Sequence, residues 1–164
     1  MILDLPAKLD LNEWFVLGAS AAAWAAALPL IRRLRPAMVL GLWLFNFFLA
    51  QAFDFVLAVK PLDLYDTMDR NEYEWFDLLL YTLTYPPVGI LVGALPRRFR
   101  MGAARTAAFI LAAAALTVGL EWIAHAAGVY HYRGWKLIYS YPCYIVSFAL
   151  NVLFCAFIRR HLRA

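Results

Sequence analysis

The chain has 164 residues, one domain's worth, and 65% of them are hydrophobic, against about 45–50% in soluble domains. A soluble fold of this length has no interior large enough to bury five long apolar runs, so a water-soluble globular class is excluded. The net charge of +4 would suit nucleic acid or another acidic partner, but the way the charge is distributed points to membrane topology, and nucleic-acid binding is not expected.

The runs lie at 13–32, 38–59, 76–95, 105–128 and 136–158, each near the ~20 residues that cross a hydrocarbon core of about 30 Å. The N-terminus lacks the basic region and small-residue cleavage site of a signal peptide, so span 1 is expected to be retained. Gly18, Ala22 and Ala26 in span 1, Gly89/Gly93 in span 3 and Ala115/Gly119 in span 4 recur every four residues. That spacing predicts close helix packing. Pro36 starts span 2 after the basic segment Arg32–Arg35.

Span 2 is rich in aromatics yet carries Asn46, Gln51 and Asp54. Span 3 contains Tyr85-Pro86-Pro87, expected to break or kink the helix and free carbonyls that protein or water must cover. In span 5, Ser140, Tyr144, Ser147 and Asn151 step by 4, 3 and 4 and form a polar stripe on one face. Glu-Trp occurs at Glu13-Trp14, Glu74-Trp75 and Glu121-Trp122. Anchoring at a membrane interface accounts for the tryptophans. Cys143 and Cys155, far apart on one helix, are expected to be ordinary free thiols.

Ten basic residues (Arg32, Arg33, Arg35, Arg97, Arg98, Arg100, Arg105, Arg159, Arg160 and Arg163) fall on one side, and five (Lys8, Lys60, Arg70, Arg133 and Lys136) on the other. All eleven acids lie at or toward the side with fewer cations. The positive-inside rule then gives an N-terminus outside and a C-terminus inside. The expected fold is an all-α, polytopic bundle of five transmembrane helices, a single integral membrane domain in contact with membrane lipid.

Ionisable groups within spans face a bundle interior or a cavity and often mark function. Asp54, Asp77, Glu121 and His125 qualify, and all lie in the outer half. Glu121 and His125 share a helix face, as do Asp77 and Tyr81, with Tyr85 one turn deeper. These groups are expected to converge on one pocket, with Glu121 as the acid and Asp54 and Asp77 as its partners. His125, Tyr81, Tyr85, Trp122, Trp135, Tyr139, Ser140, Tyr144, Asp63, Tyr65 and Asp66 are the expected ligand contacts.

Three chemistries fit. A poorly solvated carboxylic acid can donate or relay a proton. Glu121 and His125 with Asp54 or Asp77 are half of a divalent-cation site or more. Asp63, Asp66 and Asp69 can bind a divalent cation, with or without a diphosphate, or form a solvated acidic turn. Against these stands a structural reading, in which Glu121 and His125 form a hydrogen-bonded pair that locks spans 4 and 5.

Several segments resemble a family of small polytopic membrane proteins of spore-forming Gram-positive bacteria, known by a locus tag alone. The likeness runs through Asp63-Leu-Tyr65-Asp66, Tyr73-Glu74-Trp75-Phe76-Asp77, Glu121-Trp122 and Tyr132-x-Gly134-Trp135-Lys136-x-x-Tyr139-Ser140, and it covers most of 12–160. The resemblance implies a multi-pass protein of a bacterial plasma membrane and assigns no activity. The leading functional expectation is a site in the outer leaflet that binds or processes a lipid or isoprenoid-like molecule. The alternatives are a proton- or cation-coupled transporter or its subunit, and a structural or sensory subunit.

Overall fold

A computed structural model describes residues 6, 8–69 and 73–162. Asp4, Arg70, Glu72 and Arg163, which enter the charge balance, lie outside the described residues. Helix α1 spans Leu11–Ile31, α2 Pro36–Leu57, α3 Trp75–Leu79, α4 Tyr85–Arg98, α5 Ala103–Ala126 and α6 Leu137–His161. A π-helical turn, Leu80–Thr84, fuses α3 to α4 into one 24-residue helix. Five helices are therefore long and apolar enough to cross a membrane, as expected of a multi-pass membrane protein.

Helix starts follow local chemistry. The Asp10 N–H donates to Glu13 Oε2 at 2.8 Å, and the Glu74 N–H to Asp77 Oδ2 at 2.8 Å. Each of these carboxylates closes the first turn as in a capping box. Pro36 occupies the first turn of α2, where its missing N–H costs nothing.

The fused α3–α4 helix is the hub, touching α1, α2, α5 and α6. Half of its membrane-length window is buried, against 11–22% for the other four. Gly89 and Gly93 permit this. A Cβ on Gly89 would sit 2.0 Å from Asn46 Oδ1, and one on Gly93 would sit 3.0 Å from the Asn151 carbonyl oxygen. The other small-residue rows are not packing seams. Gly18 and Gly119 have nothing within 4 Å of a built Cβ, and Ala26 and Ala115 are exposed. Spacing alone could not tell which face turns inward.

The prolines do not break the span. Pro86 has no N–H for the Thr82 carbonyl, and the π turn lets the Tyr85 N–H reach Leu80 instead. The freed Thr82 carbonyl accepts a hydrogen bond from Trp43 Nε1 at 2.9 Å, so α2 covers the gap.

The fold is all-α in class, with one short ribbon added to the bundle. Strands β1 (Tyr65–Thr67) and β2 (Tyr130–Tyr132) form an antiparallel ribbon, pairing Tyr65 with Tyr132, Asp66 with His131 and Thr67 with Tyr130. The Leu64 carbonyl gathers the N–H groups of Arg133, Gly134 and Trp135 at 2.9–3.0 Å, and the Met68 N–H reaches the Val129 carbonyl. The connections between α2 and α3 and between α5 and α6 are thereby tied across one end of the bundle. The opposite end has only the short connections 32–35 and 99–102. Cys143 and Cys155 are both free.

Candidate functional site

A cavity of about 400 Å³ opens among all five spans, with Tyr65, Tyr130 and Tyr132 of the ribbon in its wall. Its size falls within the ~300–1,000 Å³ typical of small-molecule sites. Alternation along a strand explains the wall. Tyr130 and Tyr132 share one face of β2, and His131 points to the other.

Two carboxyl groups from different helices face the cavity. Asp54, in the last turn of α2, accepts hydrogen bonds from the Tyr65 and Tyr81 hydroxyls, one on each oxygen. Glu121 Oε1 accepts from Tyr132 at 2.5 Å and from Ser140 at 2.7 Å, and Oε2 accepts from Tyr144 at 2.7 Å. Among the described residues, every hydrogen-bond partner of these two acids is a hydroxyl. A ring-and-bond chain joins them. The Tyr65 ring meets Trp135 edge to face at 5.7 Å, Trp135 Nε1 donates to Ser140 Oγ at 2.9 Å, and Ser140 donates to Glu121.

The polar stripe of α6 faces this space. Ser140, Tyr144, Ser147 and Asn151 all line it, and Asn46 Nδ2 donates to Asn151 Oδ1 at 2.8 Å. Phe15, Leu49, Phe53, Val88 and Phe148 supply apolar wall. The Tyr85 and Tyr130 hydroxyls pair at 2.7 Å.

The ribbon phenols are held protonated. Burial pushes Tyr65 well above the usual phenol range, and the Asp54 charge adds to it. Tyr130 is raised by burial against a lowering bond from Tyr85. Tyr132 is raised by burial and then by its bond to Glu121. All three therefore remain O–H donors at neutral pH.

Several expected contacts lie elsewhere. Asp77 is buried but does not line the cavity, because its carboxylate closes the first turn of α3. Tyr81 stands behind Asp54 as a donor. His125 does not pair with Glu121. Its Nδ1 lies 2.6 Å from the Tyr130 carbonyl oxygen and its ring stacks on Tyr132 at 4.3 Å, in the last turn where the chain leaves α5 for β2. The lock between spans 4 and 5 is instead Glu121 with Ser140 and Tyr144.

Trp122 is 62% exposed, like Trp14 and Trp75 at the same end of the bundle, and Tyr139 is 46% exposed; neither Trp122 nor Tyr139 lines the cavity. The three Glu-Trp pairs thus share exposed tryptophans but not a role for the acid. Glu13 and Glu74 belong to helix caps, and Glu121 faces the cavity.

Asp63 and Asp66 are both bound by Arg133, at 2.9 and 2.7 Å, and Asp69 accepts from Asn12 at 2.8 Å. Arg133 thus holds two of the three loop acids and Asn12 the third. Among the described residues, no three His, Cys, Asp or Glu gather as ligands for a metal ion.

Tyr130, Asn46 and Thr84 line the cavity although none was among the expected contacts, and Tyr132 joins them. The alternation Tyr130-His131-Tyr132 is the local signal for the two tyrosines, and a polar side chain within an apolar span is the signal for Asn46. No family model, curated protein or solved structure matches the chain.

Proposed function

We propose that the protein is a multi-pass membrane protein, N-terminus outside and C-terminus inside. Its cavity, in the outer leaflet, binds or processes a lipid or isoprenoid-like molecule by acid chemistry. One observation carries the reading. Asp54 and Glu121, on separate helices and each held, among the described residues, by hydroxyls alone, face a single cavity whose remaining wall is mostly apolar and aromatic. The carboxyls are the groups that would hand a proton to, or stabilise positive charge on, an apolar ligand. The surrounding ring faces favour a cation in the same place.

Residues carrying the family resemblance meet here as well: Tyr65, Glu121, Tyr132, Trp135 and Ser140 all line the cavity. The orientation rests on the ten-to-five split of the basic residues, with the acids as support.

The test begins with native mass spectrometry and lipid extraction of the full chain in mild detergent. A lipid or isoprenoid-like molecule should co-purify with wild type and be lost from Ala23→Trp, which fills the cavity from α1. Glu121→Gln should keep the fold and the ligand but stop any conversion of it. A wild type that carries no more of such a molecule than Ala23→Trp sinks the reading.

The π turn favours a second reading. Leu80 and Thr84 both line the cavity, so its wall contains a helix irregularity of the kind that serves transporters as a hinge. Uptake of a cation or proton by reconstituted protein, abolished by Asp54→Asn, would select it.

A further inference from the structure

A second cavity, of about 330 Å³, lies at the opposite end of the bundle, where α1, α2, α4 and α6 meet. Arg33, Arg35, Arg97, Arg98 and Arg159 line it. Beneath them Leu30, Met38, Ala94 and Cys155 form a buried apolar floor. Among the described residues, every acid lies at or toward the ribbon end and none lines this cavity. The nearest acid on α2, Asp54, stands 18 residues beyond Pro36, about 27 Å along the helix at 1.5 Å per residue. Arg35 spends one donor on the Leu162 carbonyl at 2.5 Å, which ties the start of α2 to the end of α6. The remaining forks face a concavity.

Topology signals alone ask only for basic residues near the ends of spans. They do not ask for five arginines, from the α1–α2 connection, α4 and α6, around one hollow with an apolar base. Guanidinium groups bind phosphate in a two-pronged geometry that lysine does not offer, and among the described residues this end has arginines and no lysine.

We propose that this cavity is a binding site for the phosphate group of an anionic lipid, with the phosphate on the arginines and the adjoining methylenes on the Leu30–Met38–Ala94 floor. The apolar floor is what selects a lipid over a soluble phosphate compound. The site is independent of the cavity at the ribbon end and of whichever molecule occupies that one.

The full chain in detergent is titrated with phosphatidylglycerol or phosphatidylcholine of matched acyl chains, and bound lipid is counted by native mass spectrometry. Phosphatidylglycerol should be preferred. Arg97→Gln with Arg159→Gln should weaken that preference by roughly fivefold per arginine. Arg32→Gln with Arg160→Gln removes the same charge from the same end but spares the cavity lining, and should leave the preference near wild type. Should the first pair fail to fold, as judged by circular dichroism, Arg33→Gln with Arg98→Gln replaces it. Equal losses from lining and non-lining pairs would reduce the effect to general surface charge and overturn the site. Displacement of the lipid by inorganic phosphate at matched concentration would overturn the lipid assignment in favour of a soluble phosphate ligand.

Discussion

At the ribbon end, Asp54 and Glu121 receive five hydroxyl donors between them, whereas at the other end five arginines line a hollow with no acid among its described lining residues. The difference follows from what connects the helices. Two long connections fold back at the ribbon end and bring Tyr65 and Tyr132 onto buried carboxyls. The segments 32–35 and 99–102 are too short to fold back over the arginines, and the partner that Arg35 does find, the Leu162 carbonyl, comes from the end of α6. A small bundle can satisfy buried charge internally only where chain is spent outside the spans. Elsewhere it must leave charge at the rim for solvent or lipid.

The most severe test of the ribbon-end arrangement is Gly89→Ala. Its Cβ would overlap Asn46, which itself binds Asn151. Overpacking together with a broken buried hydrogen bond should cost roughly 2–5 kcal/mol. Gly119→Ala, with open space around it, should be neutral or stabilise by up to about 1 kcal/mol. Melting curves in detergent for the pair check both. A Gly89→Ala protein as stable as wild type would show that α2 and α4 do not approach so closely.

Next in size is Glu121→Ala, which strips the acceptor from Tyr132, Ser140 and Tyr144 at once. Ser140 is buried, and with three donors losing their acceptor the loss should be roughly 2–4 kcal/mol. Glu121→Gln keeps one carbonyl acceptor and should cost no more than about 1 kcal/mol. If both variants melt together near wild type, the hydroxyl ring contributes nothing to the packing of α5 on α6.

Which parts were legible follows the range of the signal. Five spans were readable because ~20 apolar residues in a row have few uses other than crossing a bilayer. Their edges shifted by a few residues; α2 begins at Pro36 and α4 runs on to Arg98. The stripe Ser140, Tyr144, Ser147 and Asn151 was readable because a single helix sets its geometry. The same spacing misled at Glu121 and His125, since in the last turn of α5 His125 meets the departing chain at Tyr130 instead. Asp77 was misplaced although Glu74-x-x-Asp77 has the spacing of a helix cap. The ribbon was out of reach. Its strands have three residues each and pair Tyr65 with Tyr132 across two intervening spans, and the three-residue alternation Tyr130-His131-Tyr132 does not name its partner strand.

The ribbon phenols should also show themselves in the response to pH. Tyr65 and Tyr130 are raised above the ordinary phenol value by burial. The folded state therefore holds these protons after the unfolded chain has released them. Stability from this source is complete below about pH 10, where unfolded tyrosine titrates, and declines as pH rises through the raised folded values. The slope should be roughly 1 kcal/mol per pH unit for each phenol. Ultraviolet titration at the tyrosinate band, run beside thermal melts, should show late ionisation coinciding with loss of the fold. Ionisation of every tyrosine near pH 10 in protein that still melts normally would contradict the burial of the ring cluster.

The smallest effect is expected from the most visible ion pair. Arg133 reaches Asp63 at 2.9 Å and Asp66 at 2.7 Å, which suggests a clamp on the ribbon. Its side chain, however, is 40% exposed and that of Asp63 30%, so solvent and salt screen the attraction. The ribbon has independent ties in the Leu64 carbonyl, which accepts three backbone N–H groups whatever side chain stands at 133. Arg133→Gln should therefore cost about 0.2–1 kcal/mol, and less in high salt. The same substitution frees Asp63 and Asp66 beside one another. Any cation binding that this loop can support should therefore appear in the variant and be absent from wild type. Calorimetric titration of both proteins with magnesium and calcium reads this directly. Binding of equal strength in the two would mean that Arg133 does not hold these carboxylates in solution, and the ribbon end would then expose unpartnered charge just as the arginine end does.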